Sequence, residues 1–369
     1  MTTRRALVSQ AMALMAMHRL GAGVVYAASP SVAVQPAPRK LDLLFLGGTG
    51  FLGPHQIEYA LARGHRVSMF NRGQSRANLY GDRVETLIGN RDSRIDAGLS
   101  ALAGKRRWDA VIDNSGYVPR HVRDSAALLE GRVGRYVFVS TLSVYDPAAA
   151  VVVDESTPLS KSPGTTEELS LASYGPLKAD CDRTVREILG EAATVVRPGF
   201  IVGPGDDTDR FTYWVDRLAR GGDVLGPPDP EQALQWVDVR DLCPWMVDLA
   251  ERDRAGVFNA VGPERRTTWE EVIDVLAKTA ATPVRVYWST AELLEEMQIE
   301  LPLASSTPRA RYFEGGAARA GGLRHRPLAD TAAATLAWWR AQTPERRARS
   351  EGWPTPEQER RVLARLARP

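Results

Sequence analysis

From residue 41 onward the apolar residues follow two rhythms. Short unbroken runs at 41–46, 65–70, 84–88, 109–113, 135–140 and 194–197 alternate with stretches of helical spacing around 56–63, 95–102, 119–129 and 173–189. Buried runs alternating with amphipathic helices predict an α/β fold, a doubly wound parallel sheet covered on both faces. Residues 39–203 would form this sheet domain. Residues 204–339 would form a smaller C-terminal substrate-binding lobe that sends segments back to the sheet, and 340–369 a helical tail, amphipathic over 357–366. No internal repeat is present, and no run approaches the ~18 apolar residues of a membrane span.

Charge refines this division. The 369 residues carry 47 Lys+Arg against 45 Asp+Glu. Residues 1–40 hold Arg4, Arg5, Arg19, Arg39 and Lys40 without an acid, whereas 41–339 is net −7 and the tail net +4. An acidic body gives no general electrostatic reason to bind nucleic acid. The leader joins an arginine pair, an apolar Ala/Met-rich stretch and a small-residue segment ending at Ala27-Ala28. These parts predict a twin-arginine export signal and linker over 1–38, cleaved after Ala27, and a periplasmic or secreted protein. His18 and Arg19 interrupt the apolar part, and a cytosolic extension is the alternative. Cys181 and Cys243 lie in helical stretches and suggest no disulfide, and the five scattered histidines lack the paired spacing of a metal site.

The first apolar run leads into Gly47-Gly48-Thr49-Gly50-Phe51-Leu52-Gly53 and then a helix. Glycines in that context let the backbone turn sharply and approach a pyrophosphate, which the helix N-terminus then meets, so a Rossmann-type dinucleotide site is expected. The second run ends at Asn71-Arg72-Gly73. An acid here would grip ribose hydroxyls; Asn71 does not repel a 2′-phosphate and Arg72 can pair with one. The cofactor is therefore read as NAD(P), leaning to NADP, with Arg72 stacked on adenine above NAD as the other reading.

Two further elements carry chemistry. Ser140-Thr141-Leu142-Ser143 places hydroxyls at the carboxyl end of a buried strand, where open α/β sheets bind ligands. Tyr174-Gly175-Pro176-Leu177-Lys178 puts Tyr and Lys one turn apart on one helix face, where the cation lowers the phenol pKa and the phenol can exchange a proton with a substrate.

With these three elements in this order, the sequence resembles the extended and atypical branch of the short-chain dehydrogenase/reductases, the NAD-dependent epimerase/dehydratase-like proteins, over roughly 41–339. Arg197-Pro198, Gly203-Pro204, the segment 235–241 and the segment 256–259 carry the resemblance further. Segments 109–119, 174–178 and 203–214 are similar to a bacterial subgroup labelled isoflavone-reductase-like. The resemblance implies Tyr174 as acid/base, Lys178 on the nicotinamide ribose and Thr141 polarising the substrate, with Ser140 and Ser143 as fallbacks. It implies a pyrophosphate cradle at Gly47, Gly50, Phe51, Leu52 and Gly53, with Asp92 or Asn90 toward adenine. Asn114, Gly116, Ser140, Pro198 and Gly199 would line the rest of the cofactor. A homodimer is its default assembly.

One departure bears on substrate. Nucleotide-sugar members carry an Asn after the Arg-Pro strand, whereas Gly199-Phe200-Ile201 follows here, which removes a polar contact such a substrate would use. Tyr117, Ser143, Tyr145 and Tyr213 are the expected substrate-facing side chains, suited to a small sugar-like or phenolic molecule. Asp206-Asp207 and Arg265-Arg266 read as solvated turns, and the long segment 146–171 as a rim. The leading function is hydride transfer at a carbinol or carbonyl carbon. An exported epimerase holding its NAD(P) tightly is the alternative, and a non-catalytic sensor or RNA-associated module comes from a different class.

Overall fold

The computed structural model describes residues 34–304, 311–348 and 353–367. Seven parallel strands form one sheet: β1 (Asp42–Leu46), β2 (Arg66–Asn71), β3 (Glu85–Ile88), β4 (Trp108–Asp113), β5 (Val133–Val139), β6 (Ala193–Pro198) and β7 (Gly256–Ala260). Their order is β7-β6-β5-β4-β1-β2-β3. The order reverses between β1 and β4, the switch point at which such sheets open a ligand crevice. This is a Rossmann-type fold. β7 was not among the expected runs, because only Val257 and Phe258 mark it within a polar, glycine-flanked stretch.

The principal helices are α1 (Leu52–Ala62), α2 (Pro119–Leu129), α3 (Leu171–Leu189), α4 (Arg210–Arg220), α5 (Val239–Glu251), α6 (Trp269–Ala280), α7 (Leu328–Arg340), α8 (Pro344–Ala348) and α9 (Pro356–Leu366). Successive side chains of a strand point to opposite faces. Leu43 and Phe45 therefore join the core beneath α1 and α5, while Leu44 and Leu46 join the one beneath α2 and α3. Both faces being covered explains why the strand runs are continuously apolar. The helix expected at 95–102 is instead a chain of turns with one 3-10 turn, Ser100–Leu102. Asp96 and Gly98 take positive φ there (51° and 50°), which breaks helical continuation.

A third core belongs to the C-terminal lobe. It gathers Trp214 and Leu218 of α4, Leu225, and Trp269 and Ile273 of α6, and the tail adds Trp353 and Val362. The tail is thus part of the lobe's interior. The expected leader also reaches the fold at its end: Ala37 N–H donates to the Arg63 carbonyl at 2.8 Å, and Arg63 donates to the Gln35 carbonyl at 2.6 Å. The export reading otherwise falls on residues 1–33, outside the described residues. Among the described residues, no helix is long and apolar enough to cross a membrane.

Candidate functional site

The crevice begins at the glycine turn between β1 and α1. Gly47 has φ +84°, and a side chain at Gly53 would put its Cβ 2.2 Å from the Gly48 carbonyl oxygen. That clash explains why helix and turn can close only on glycine. Gly50 differs, since a Cβ there would meet nothing within 4 Å. It faces open space at the mouth of α1, whose N-terminus has neither a capping side chain nor an acid in its first turn. Free N–H groups and a positive dipole end are therefore presented to a pyrophosphate. Phe51 and Leu52 are partly buried against the sheet core.

Of the side chains expected to touch the cofactor, Asn114 braces this turn, while Asn71 and Asp92 have partners elsewhere. The Asn114 amide donates to the Gly47 carbonyl at 2.9 Å and exchanges hydrogen bonds with Gln56, so it latches the glycine turn. Tyr80 donates to the Gly48 carbonyl at 2.6 Å. Asn71 accepts from Gly73 N–H at 2.9 Å and shapes the turn after β2. Asp92 is held by both arms of Arg120 at 2.7 and 2.9 Å, which keeps its carboxyl well below the usual range. It forms an ion pair with Arg120. Arg72 is exposed and has no partner among the described residues.

The other end of the crevice is built on β5 and α3. Thr141 caps the 3-10 turn Leu142–Val144 by accepting from Ser143 N–H at 3.2 Å. A Cβ at Gly175 would lie 2.4 Å from the Ser143 carbonyl, so this glycine brings the Tyr174 helix onto the hydroxyl turn. The Thr141 hydroxyl lowers the Tyr174 phenol pKa against the effect of burial. Ser143 is exposed beside them. Ser140 is turned the other way, its hydroxyl 3.4 Å from the Asp182 carboxylate. Pro198 is buried at the end of β6, next to Gly199, whose N–H donates to Ala260 at 3.2 Å.

Lys178 is 2% exposed, and its ammonium donates to the carbonyls of Gly116 and Val139, each at 2.7 Å. The Nζ also lies 5.1 Å from the Tyr117 ring centre. Burial pulls its pKa down to about 8. The Tyr174 phenol is pushed above its ordinary value by burial, opposed by the Thr141 hydrogen bond and by the Arg210 cation. The expected lowering by Lys178 is therefore corrected. Its charge is directed at the two backbone carbonyls, and Arg210 supplies the nearby positive field. A buried Arg91–Asp113 pair at 2.6 and 3.0 Å, with Tyr136 donating to Asp113 at 2.7 Å, braces the segment that carries Gly116 and Tyr117.

The aromatic expectations divide. Tyr117 is partly exposed, and both Tyr174 and Asp207 act on its phenol. Tyr145 is 1% exposed, and its hydroxyl donates to Asn259 at 2.5 Å and accepts from Arg197 at 2.8 Å. With Arg197 on Asp182 at 2.8 Å, it belongs to a buried network. Tyr213 is 7% exposed and packs edge-on against Trp214 in the lobe core. Both are corrected from substrate contacts to interior residues.

The 206–210 turn was missed as part of the site. Asp206 is 1% exposed, contrary to a solvated turn, and accepts from Thr208 N–H and hydroxyl. Asp207 is exposed at the cleft, where desolvation and the neighbouring Asp206 push its carboxyl up to about 6. The turn docks on the nucleotide end through His55 and the Pro204 carbonyl at 2.8 Å. Pro204 and Gly205 immediately precede the acid pair. That pairing was the available signal.

Known proteins agree with this architecture. The cattle epimerase family protein SDR39U1 is 24% identical, over 66% of this chain and 82% of its own. The Arabidopsis thaliana chloroplast stem-loop binding protein of 41 kDa b is 25% identical over 67% of this chain, which spans 65% of that protein. The Bordetella bronchiseptica enzyme WbmH in complex with NAD+ superposes with a TM-score of 0.60 at 17% identity, over 82% of this chain and 99% of its own. The Bacillus cereus UDP-glucuronic acid 4-epimerase in complex with NAD gives 0.59 at 15%, over 80% and 96%. These structures share the fold. The relatives speak to the family and not to the narrower isoflavone-reductase-like grouping. The model of the NAD dependent epimerase/dehydratase family matches residues 43–261, and the chain belongs to that family.

Proposed function

We propose that the protein is an NAD(P)-dependent oxidoreductase of epimerase/dehydratase type, acting at a carbinol or carbonyl carbon of a small hydroxylated substrate. Tyr174 is its proton donor and acceptor. The observation that carries this is the convergence of Tyr174, Thr141, Lys178 and Tyr117 at the strand ends beyond an unobstructed glycine cradle. The open side of Gly50 and the uncapped α1 N-terminus fit a dinucleotide pyrophosphate. When bound, the cofactor supplies a hydride acceptor or donor.

The chain's own residues do the rest. Lys178 ties the ends of β4 and β5 together and offers a cation beside the ribose position. Thr141 and Ser143 set two hydroxyls beside the Tyr174 helix, and that of Thr141 favours the phenolate. Burial raises the Tyr174 phenol from its ordinary value, which favours Tyr174 as the proton donor. As a base it depends on the Thr141 hydrogen bond and on Arg210. Arg72 supports a preference for the 2′-phosphorylated cofactor. The leader supports export, with a retained cofactor serving an epimerase.

Tyr174→Phe tests the assignment. Turnover should fall by about 10²–10⁴, the usual range for losing a general acid/base, while NADH affinity stays within about twofold. Turnover near the wild-type level would remove Tyr174 from the chemistry.

A further inference from the structure

The turn that faces Tyr174 and Tyr117 is gripped from behind by the last part of the chain. Arg346 of α8 places both arms on the two carboxylate oxygens of Asp209, at 2.8 and 2.6 Å. Both side chains are largely buried, 14% and 4% exposed. The guanidinium also stacks 5.1 Å from the Trp339 ring centre of α7, which fixes its approach. One residue earlier in the turn, the Thr208 carbonyl accepts from the Trp353 indole at 2.9 Å. Asp209 itself has φ +55°, a left-handed conformation that ordinary side chains adopt only when something compensates its cost.

These contacts meet the site contacts within five residues. Thr208 holds the Asp206 carboxylate at 2.6 Å and accepts from Arg210 Nε at 2.9 Å. Arg210 acts on Tyr174, and Asp207 on Tyr117. We propose that the C-terminal segment is a strap: Arg346, with Trp353, holds the 206–210 turn in the shape that presents Asp207 and Arg210 to the cleft, and Arg346 is a positioning residue. This rests on the cleft reading above. The strap is anchored farther along by Glu359 of α9, which accepts from Arg217 at 2.6 Å and from Leu225 N–H at 3.1 Å. Loss of Arg346 therefore frees the turn without detaching the tail.

The test uses the full chain in two readouts, hydrogen exchange by mass spectrometry and the emission of bound NADH. Arg346→Ala should speed exchange across 203–212 by about tenfold or more, leave 41–53 unchanged, and shift the emission of bound NADH; Arg346→Lys should recover part of both. Unchanged exchange across 203–212 would overturn the strap. So would faster exchange with unchanged NADH emission, which would mark a contact that only anchors the tail. If the alanine variant does not fold, the lysine variant reads the same two quantities. If the wild-type protein gives no signal with NADH, the cofactor reading fails, and exchange across 203–212 alone decides the strap.

Discussion

The two ends of the crevice are built on opposite plans. At the glycine turn the backbone is left open and polar side chains brace it: Asn114 holds Gly47 and Tyr80 holds Gly48. At the strand ends the backbone braces the side chains that carry the chemistry, with Lys178 held by two carbonyls and Tyr174 brought in by Gly175. The first plan suits recognition of a phosphate, for which N–H groups and a helix dipole suffice. The second suits proton transfer, which needs a titratable group in a controlled field.

Substitutions should separate the two ends. The largest effect is expected at the turn itself. Gly53→Ala forces a Cβ into the Gly48 carbonyl, and thermal unfolding should show a loss of about 3 kcal/mol together with cofactor affinity. An unchanged melting temperature would mean that the closeness of α1 and the turn is not required.

The next effect is of similar size but depends on pH. Lys178 falls from 10.5 to about 8 on folding, so between these values the unfolded chain holds more protons and stability rises with pH. Relative to Lys178→Met, the wild-type protein should gain on the order of 3 kcal/mol across that window, measured by denaturant unfolding. A flat difference would show that the ammonium is not desolvated.

Smallest are the effects at the adenosine side. Arg72→Ala should weaken NADPH about tenfold and leave NADH unchanged, as expected for one charge-assisted phosphate contact of ~1.4 kcal/mol. Asp92→Asn should change neither affinity beyond about twofold. Equal losses for both cofactors in the arginine variant would place Arg72 on the adenine instead.

The first plan was legible in sequence because it is local. The spacing of Gly47, Gly50 and Gly53 after an apolar run identifies the turn within one short segment. The six expected runs became strands, since burial on both sides leaves them continuously apolar. What the sequence hid was partnership across long separations. The partner of Asp92, Arg120, lies 28 positions away in α2. Tyr145 looked like a pocket residue because Asn259, 114 positions away, accepts its proton. Asp206 looked solvated because the tail that covers its turn arrives last. Tyr174 and Lys178 were placed on one face by their spacing, but where the ammonium points was decided by the carbonyls of Gly116 and Val139.

The central claim is that an open backbone cradle holds a nicotinamide dinucleotide, and Gly50 tests it most directly. Calorimetric titration of wild-type protein and Gly50→Val with NADH should give saturable binding for the first and a loss of at least about tenfold for the second, with unchanged melting temperatures, because a Cβ at Gly50 meets nothing within 4 Å and points into the space the ligand would fill. Equal binding by both proteins, or none by the wild type, would contradict the account.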